Sequence, residues 1–158
     1  MNIYINEESI LHIETLIVGL PEHINQLREI KYNNQSINEQ LETLKQHHII
    51  GSSVGKISST MFYTNNQPKR LLTVGLGNLK DLSYQRLLKV WGHTFQFLKQ
   101  EHINEAEVLL DTFISKYNDS IEVAKTFGLQ SNQSIYQFDN YKSYKKEQYQ
   151  PNIYVKTE

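Results

Sequence analysis

The sequence contains no cysteine, which removes disulfides, thiol nucleophiles and cysteine-ligated zinc from consideration. The same absence fits an intracellular protein. Charge of one sign is not in excess either: 16 Lys and Arg stand against 17 Asp and Glu, a formal net charge of −1. No global basic field therefore draws the chain to nucleic acid or to a membrane surface. No apolar run approaches the ~18–20 residues needed to cross a bilayer. The opening MNIYINEES is polar and acidic, unlike a signal peptide. Internal repeats and long linkers are missing too. What remains is one domain spanning 1–158, long enough to bury roughly two-thirds of the surface of its unfolded chain. A soluble, cytoplasmic domain is the expectation.

What is present is a succession of strand-like and helical segments. NIYI (2–5) reads as a short strand and TLIVGL (15–20) as a buried one, closed by Pro21. After a polar, turn-rich stretch over 22–36, SINEQLETLKQ (36–46) has helical spacing. Ser36 and Glu39 form a capping box there, and Ile37, Leu41 and Leu44 share a face. KISSTMFYT (56–64) places Ile57, Ser59, Met61 and Tyr63 on one strand face, and NNQPK (65–69) turns it into RLLTVGL as a hairpin or neighbouring strands. The clearest helix is 82–101, where Leu87 and Leu88 lie three and four residues after Tyr84, and Trp91, Phe95 and Leu98 follow Leu88 at steps of three, four and three. AEVLLDTF (106–113) reads as a central strand buried on both sides. Asp119 and Glu122 open another helix as a capping box, with Ile121, Ala124, Gly128 and Ile135 recurring inward. NIYVKTE (152–158) alternates like a strand, and that ending predicts a cut edge with more protein to follow. Strands alternating with helices predict an α/β domain with a mostly parallel or mixed sheet.

Several stretches approach a chemical motif and stop short. Gly75-Leu76-Gly77 follows a strand as a dinucleotide loop does, but Lys80 stands where the third glycine belongs. Gly75 and Gly77 are therefore expected to shape a strand end rather than to hold a cofactor. GSSVGKIS (51–58) misses the phosphate-binding P-loop by one residue between the glycines and by Ile57 in place of the hydroxyl. Adjacent His47 and His48 diverge by about 100° on a helix and cannot share an ion, and His102 falls near a helix C-terminus. No histidine pair has metal-site spacing, and no nucleophile elbow occurs. Asp111, polar in an apolar run, either faces a ligand crevice or caps the next segment. Tyr136, Tyr141, Tyr144, Tyr149 and Tyr154 alternate with Lys142, Lys145 and Lys146. That mixture suits single-stranded nucleic acid or an interdomain contact, and the diluting Asp139, Glu147 and Glu158 favour the contact.

The same segments, taken in order, carry a resemblance. Residues 128–147, GLQSNQSIYQFDNYKSYKKE, resemble the end of the N-terminal domain in the leucyl aminopeptidase (cytosol aminopeptidase) family of metallopeptidases. That family carries a pattern close to EGxxLxxYRFDxYK, which Gly128, Tyr136, Phe138, Asp139, Tyr141 and Lys142 match in order. RLLTVGLG (70–77) is similar to the family's "rvllvGLG" strand, Gly55-Lys56 to its GK turn, and ETLIVGLPE (14–22) to its early strand. Phe127 replaces the glutamate usual before Gly128, and Gln137 the arginine of YRF.

The resemblance implies a three-layer α/β/α domain, akin to macro domains, with a mixed, mostly parallel central sheet and a separate catalytic domain after it. In the family that second domain holds two divalent metals (zinc, manganese or magnesium) through aspartates, a glutamate and a lysine. It includes an NTDAEGR-type motif, and the metals activate water to remove N-terminal residues from peptides. The motif is absent from these 158 residues, so no catalytic, cofactor-binding or metal-binding residue is carried over. The implied partners are the chain's own C-terminal catalytic domain and, in the full-length protein, a homo-hexamer. No membrane or nucleic-acid partner is expected. The implied role is assembly and active-site access. The alternative is a stand-alone macro-like module binding ADP-ribose or a related nucleotide, which rests on the implied fold and the glycine turn.

Overall fold

The computed structural model describes residues 1–6, 13–23, 29–32, 35–64, 67–139 and 149–157, with the helical backbone alone given for 135–139. Strands β1 (Asn2–Ile5), β2 (Thr15–Pro21), β5 (Ile57–Thr64), β6 (Gln67–Gly77), β7 (Glu105–Leu109) and β8 (Asn152–Lys156) form one sheet in the order β1-β8-β7-β2-β6-β5. Five of them run parallel, and β5 pairs antiparallel with β6 as the expected hairpin. The short strands β3 (Lys31–Tyr32) and β4 (Gln35–Ser36) form a separate ribbon. Helices α1 (Asn38–Gln46), α2 (Tyr84–Gln100) and α3 (Ser120–Asp139) complete a three-layer α/β/α domain.

Alternation along the central strands sends side chains to both layers. Leu16, Val18 and Leu20 of β2 join Leu71, Phe62, Ile37 and Leu41 under α1. Ile17 joins Leu72, Val74, Val108, Ile153 and Val155 under α2 and α3. Trp91 is fully buried at the centre of this second core, 4.2 Å from Phe113 and 5.1 Å from Phe127 between ring centroids. Its indole N–H donates to Thr126 Oγ1 at 3.0 Å, so α2 and α3 are joined by packing and by a hydrogen bond.

Three expectations from the sequence change in the structure. Ser36 does not cap α1. It is paired with Lys31 in the β3–β4 ribbon, the N-cap position is Ile37 without a side-chain cap, and Asn38 Oδ1 accepts instead from the Ile30 amide at 2.8 Å. The apolar run 106–113 is not one strand. β7 ends at Leu109, and Leu110–Phe113 coil into a 3-10 turn whose Thr112 hydroxyl donates to the Leu109 carbonyl. An unbroken apolar run carries no periodicity to separate the two.

The third change is the inward face of α3. Among the side chains described it consists of Val123, Thr126, Phe127, Ser131 and Ser134, while Ile121 is 62% exposed, Ala124 is exposed too, and the side chain of Ile135 lies outside the described residues. Thr126 and Ser131 donate their hydroxyls to carbonyls one turn back, at Val123 and Gly128, so these polar side chains are buried without loss of hydrogen bonding. The start of α3 is as expected, with Asp119 Oδ1 accepting from the Glu122 amide at 2.9 Å.

Two helices end in the same way. At α1, the His48 amide donates to Lys45 O and the Ile49 amide to Leu44 O, each at 3.0 Å. At α2, the His102 amide donates to Lys99 O and the Ile103 amide to Leu98 O. Both are Schellman closures, and both put a histidine in the left-handed region, with φ of 59° at His48 and 51° at His102. A left-handed L-residue costs roughly 1–2 kcal/mol, which glycine avoids at the expense of unfolded-state entropy. His48→Gly and His102→Gly are each expected to raise the thermal midpoint by about 2–4 °C, read by calorimetry. A lowered midpoint for both would mean that the imidazoles stabilise these helix ends.

Candidate functional site

In open α/β sheets a ligand crevice forms outside the carboxyl ends of the strands, where the strand order reverses. Here the chain leaves β2 for the β6 side and later returns to place β7 on the other side, so the reversal falls between β2 and β7. The 3-10 turn Leu110–Phe113 lies against this position. The Gly19 amide donates to Thr112 Oγ1 at 2.7 Å, and Phe113 is fully buried against Trp91. Asp111 sits in the same turn and accepts from the Thr157 hydroxyl at 2.8 Å. This bond ties down the segment that leaves β8, a role outside the two that the sequence suggested.

The two glycine loops that approach phosphate motifs are packed against each other. The Gly55 amide donates to Gly75 O at 2.9 Å, the Gly75 amide to Lys56 O at 2.8 Å, and the Gly77 amide to Ser52 O at 2.7 Å. These N–H groups would have to face an anion in a phosphate cradle, and here backbone carbonyls use them. The approach is close enough to require glycine, since a Cβ on Gly75 would stand 1.9 Å from the Ser53 carbonyl oxygen. Gly77 needs glycine for another reason, its φ of +66°. The expectation that both glycines shape a strand end holds, and the neighbour they admit is the 51–56 loop.

Among the described residues the histidines form no metal-holding group: His23, His47, His48, His93 and His102 are exposed, with His48 and His102 at helix ends, and His12 lies outside the described residues. Among the described residues no group of three or more His, Asp or Glu side chains could hold a metal ion. Those residues therefore do not fit a two-metal centre of the kind that the resemblance implies for the second domain. Of the C-terminal tyrosines, Tyr149 donates to the Ile103 carbonyl, with burial pushing its phenol well above the usual range, and Tyr154 stacks on Tyr4 at 4.9 Å. Both serve the domain's own packing. Within 128–147, the side chains of Tyr136, Phe138 and Asp139, together with Tyr141, Lys142, Tyr144, Lys145 and Lys146, lie outside the described residues.

One cluster of ionisable groups is buried and matches no sequence motif. Lys69 and Glu107 are 6% and 3% exposed on the α1 face of the sheet, with Tyr32 of β3 between them. The Tyr32 hydroxyl donates to Glu107 Oε2 at 2.9 Å, and the Lys69 ammonium donates to the Tyr32 oxygen at 2.9 Å and to the Ile13 carbonyl. Burial raises the Glu107 carboxyl above its usual pKa, and the Tyr32 hydrogen bond and the two lysines, Lys156 and Lys69, oppose this. Burial likewise lowers Lys69 and, with the Glu107 charge, holds the Tyr32 phenol far above its usual value. With so little exposure the cluster works as a tie between β3, β6, β7 and the entry to β2. The sequence signal was present: Glu107 lies inside AEVLL, where an interior strand leaves no solvent for a charge.

At the opposite, amino-terminal ends of the strands, a groove of about 720 Å³ runs between Met61, Arg70, Glu101 and Glu105. Arg70 and Glu101 approach to 4.0 Å across it. This is the wrong edge of the sheet for the crevice that α/β folds use.

Two outcomes follow from this geometry. Gly75→Ala should destabilise the domain by about 3 kcal/mol or more, because backbone must move to admit the methyl group. Chemical denaturation reads it, and a loss under about 0.5 kcal/mol would contradict the close approach. For Glu107, a raised folded-state pKa stabilises the fold fully below the unfolded value of 4.5 and loses that contribution as pH rises through the folded value. Wild type should therefore lose ground to Glu107→Gln as the pH is raised from 4.5, measured as the difference in unfolding free energy. A constant difference would mean that Lys69 and Lys156 cancel the desolvation.

Comparison with known proteins places this fold. The model of the cytosol aminopeptidase family, N-terminal domain, matches residues 17–145. Among solved structures, the bottromycin maturation enzyme BotP superposes with a TM-score of 0.60 at 10% identity, over 92% of this chain and 27% of that one. A tomato leucine aminopeptidase mutant gives 0.57 at 16% identity, over 99% of this chain and 32% of that one. The macrodomain of Thermus aquaticus DarG gives 0.57 at 7% identity, over 99% of this chain and 98% of that one. At such identities the structural likeness speaks for the fold alone, which is macrodomain-like. The chain spans about a quarter to a third of the two longer proteins. The family match covers most of the sequence, and on that ground the chain belongs to the cytosol aminopeptidase family, whose N-terminal domain it carries.

Proposed function

We propose that this chain is the non-catalytic N-terminal domain of a cytosolic leucyl aminopeptidase-like metalloexopeptidase. Its contribution is to assembly and to active-site access, and the reaction belongs to a catalytic domain outside residues 1–158. In this reading two divalent metals (zinc, manganese or magnesium) sit in that second domain, and the full-length protein assembles as a homo-hexamer. The observation that carries the reading is the family match over residues 17–145. The lack of a metal-holding group among the described residues supports it, as do the glycine loops, whose amides are used within the fold. The nucleotide-binding alternative is weaker, because a fold shared with macrodomains does not carry a ligand. The 3-10 turn also lies where such a ligand would be sought.

The test uses the purified 158-residue chain with a leucyl amide chromogenic substrate, with and without added manganese or zinc. No release above the buffer blank is expected. Metal-dependent turnover by clean protein would overturn the non-catalytic assignment. Independently, the reading frame is expected to continue past Glu158 into a domain bearing an NTDAEGR-type motif, and a stop codon there would overturn the two-domain reading.

A further inference from the structure

The outer strands β1 and β8 carry almost the same sequence, NIYI and NIYV, and pair in parallel and in register. Asn2 faces Asn152, Ile3 faces Ile153, Tyr4 faces Tyr154 and Ile5 faces Val155. Like side chains stack as they do in cross-β assemblies. The Asn2 side-chain Nδ2 donates to Asn152 Oδ1 at 3.1 Å, and the two tyrosine rings lie 4.9 Å apart with an 18° tilt. The strand therefore already pairs with a near-copy of itself inside the molecule.

The two edges of the sheet differ. On β5, the Gln40 side-chain amide donates to the Tyr63 carbonyl and accepts from the Tyr63 amide, occupying one outward position of that edge. On β1, every residue is exposed, none is charged, and Ile5 is 65% exposed. The backbone amides of Asn2 and Asn6 donate to the carbonyls of Pro151, just before β8, and of Val155 within it. Parity then turns the backbone groups of Ile3 and Ile5 outward, where no partner stands among the described residues. An uncharged edge of β-branched and aromatic residues is the kind that recruits another strand.

We propose that this edge is a self-association surface, and that its occupant is β1 of a second copy, antiparallel across a two-fold axis perpendicular to the sheet. Parity limits the pairing to the outward residues Ile3 and Ile5, and a single register uses both of them on each strand. Ile3 pairs with Ile5 of the partner subunit and Ile5 with Ile3 of the partner subunit, so all the outward amides and carbonyls of these residues are used. Tyr4 falls at the axis, opposite Tyr4 of the partner subunit, in a non-hydrogen-bonded position. The side chains stay on their own faces under this rotation, so the Tyr4–Tyr154 stack continues into four rings. A two-fold interface must be self-complementary, and a strand without charge satisfies this with no like-charge contact at the axis. Four residues per strand bury less than the roughly 1,200 Å² of a stable interface, so the dimer is weak and depends on concentration.

The absence of cysteine makes the test direct. A non-hydrogen-bonded antiparallel pair holds its Cα atoms about 4.5 Å apart, within disulfide range. Tyr4→Cys should therefore form a covalent dimer under mild oxidation about tenfold faster than Met61→Cys, which is exposed on the opposite edge. Sedimentation of the wild-type chain should show reversible dimerisation as concentration rises. Ile5→Pro, which removes an outward amide and none of the bonds to β8, should abolish it while leaving the far-ultraviolet circular dichroism and the melting temperature nearly unchanged. Equal oxidation rates for the two cysteine variants, or a wild-type chain that stays monomeric at high concentration, would overturn the proposal. So would an unimpaired dimer in folded Ile5→Pro, which would place the contact elsewhere.

Discussion

All seven residues of β2 are buried, and the rest of the molecule follows from that constraint. A strand flanked by β7 and β6 with no solvent on either face needs a layer above and a layer below. The chain supplies α1 and the small β3–β4 ribbon on one side and the Trp91-centred α2–α3 pair on the other. Parallel neighbours demand long crossovers, which the helices provide. The one antiparallel partnership, β5 with β6, needs only a hairpin and lies at an edge.

The polar groups of the interior serve the same end. Lys69, Tyr32 and Glu107 lie where a charged sheet residue meets the β3 ribbon, and each finds a partner. Removing one partner from such a cluster leaves a buried charge unmatched, which is far more destabilising than the intact cluster is stabilising. Trp91 and Thr126 perform the neutral version of this on the other face. In both places the hydrogen bond fixes which elements meet, while the apolar contacts supply most of the driving force.

The ends of the strands show why a likeness of fold does not transfer a ligand. The amides of Gly55, Gly75 and Gly77 are directed at carbonyls of a facing loop, and a 3-10 turn lies over the end of β2. A nucleotide-binding loop presents its amides to the outside. Here the same residue types have been used to let two stretches of backbone meet.

Some of this was determined by the sequence alone. The strands expected over 2–5, 15–20 and 152–158, the β5–β6 hairpin, the α2 stripe and the Asp119 cap rest on local periodicity and turn chemistry, which neighbouring residues settle among themselves. The ordered GLG, GK and FDNYK segments were enough to point to the family. Other features waited for the tertiary structure. Whether 110–113 continued as strand was decided by Thr112 reaching Gly19, across 93 residues of chain. The inward face of α3 was decided by Trp91 and by hydroxyls that satisfy themselves on their own helix, which a count of apolar residues cannot register. The pairing of Glu107 with Tyr32 and Lys69, the meeting of the two glycine loops and the matching of NIYI to NIYV all join residues far apart in sequence. Such contacts depend on where the fold carries each segment, and no local pattern encodes that.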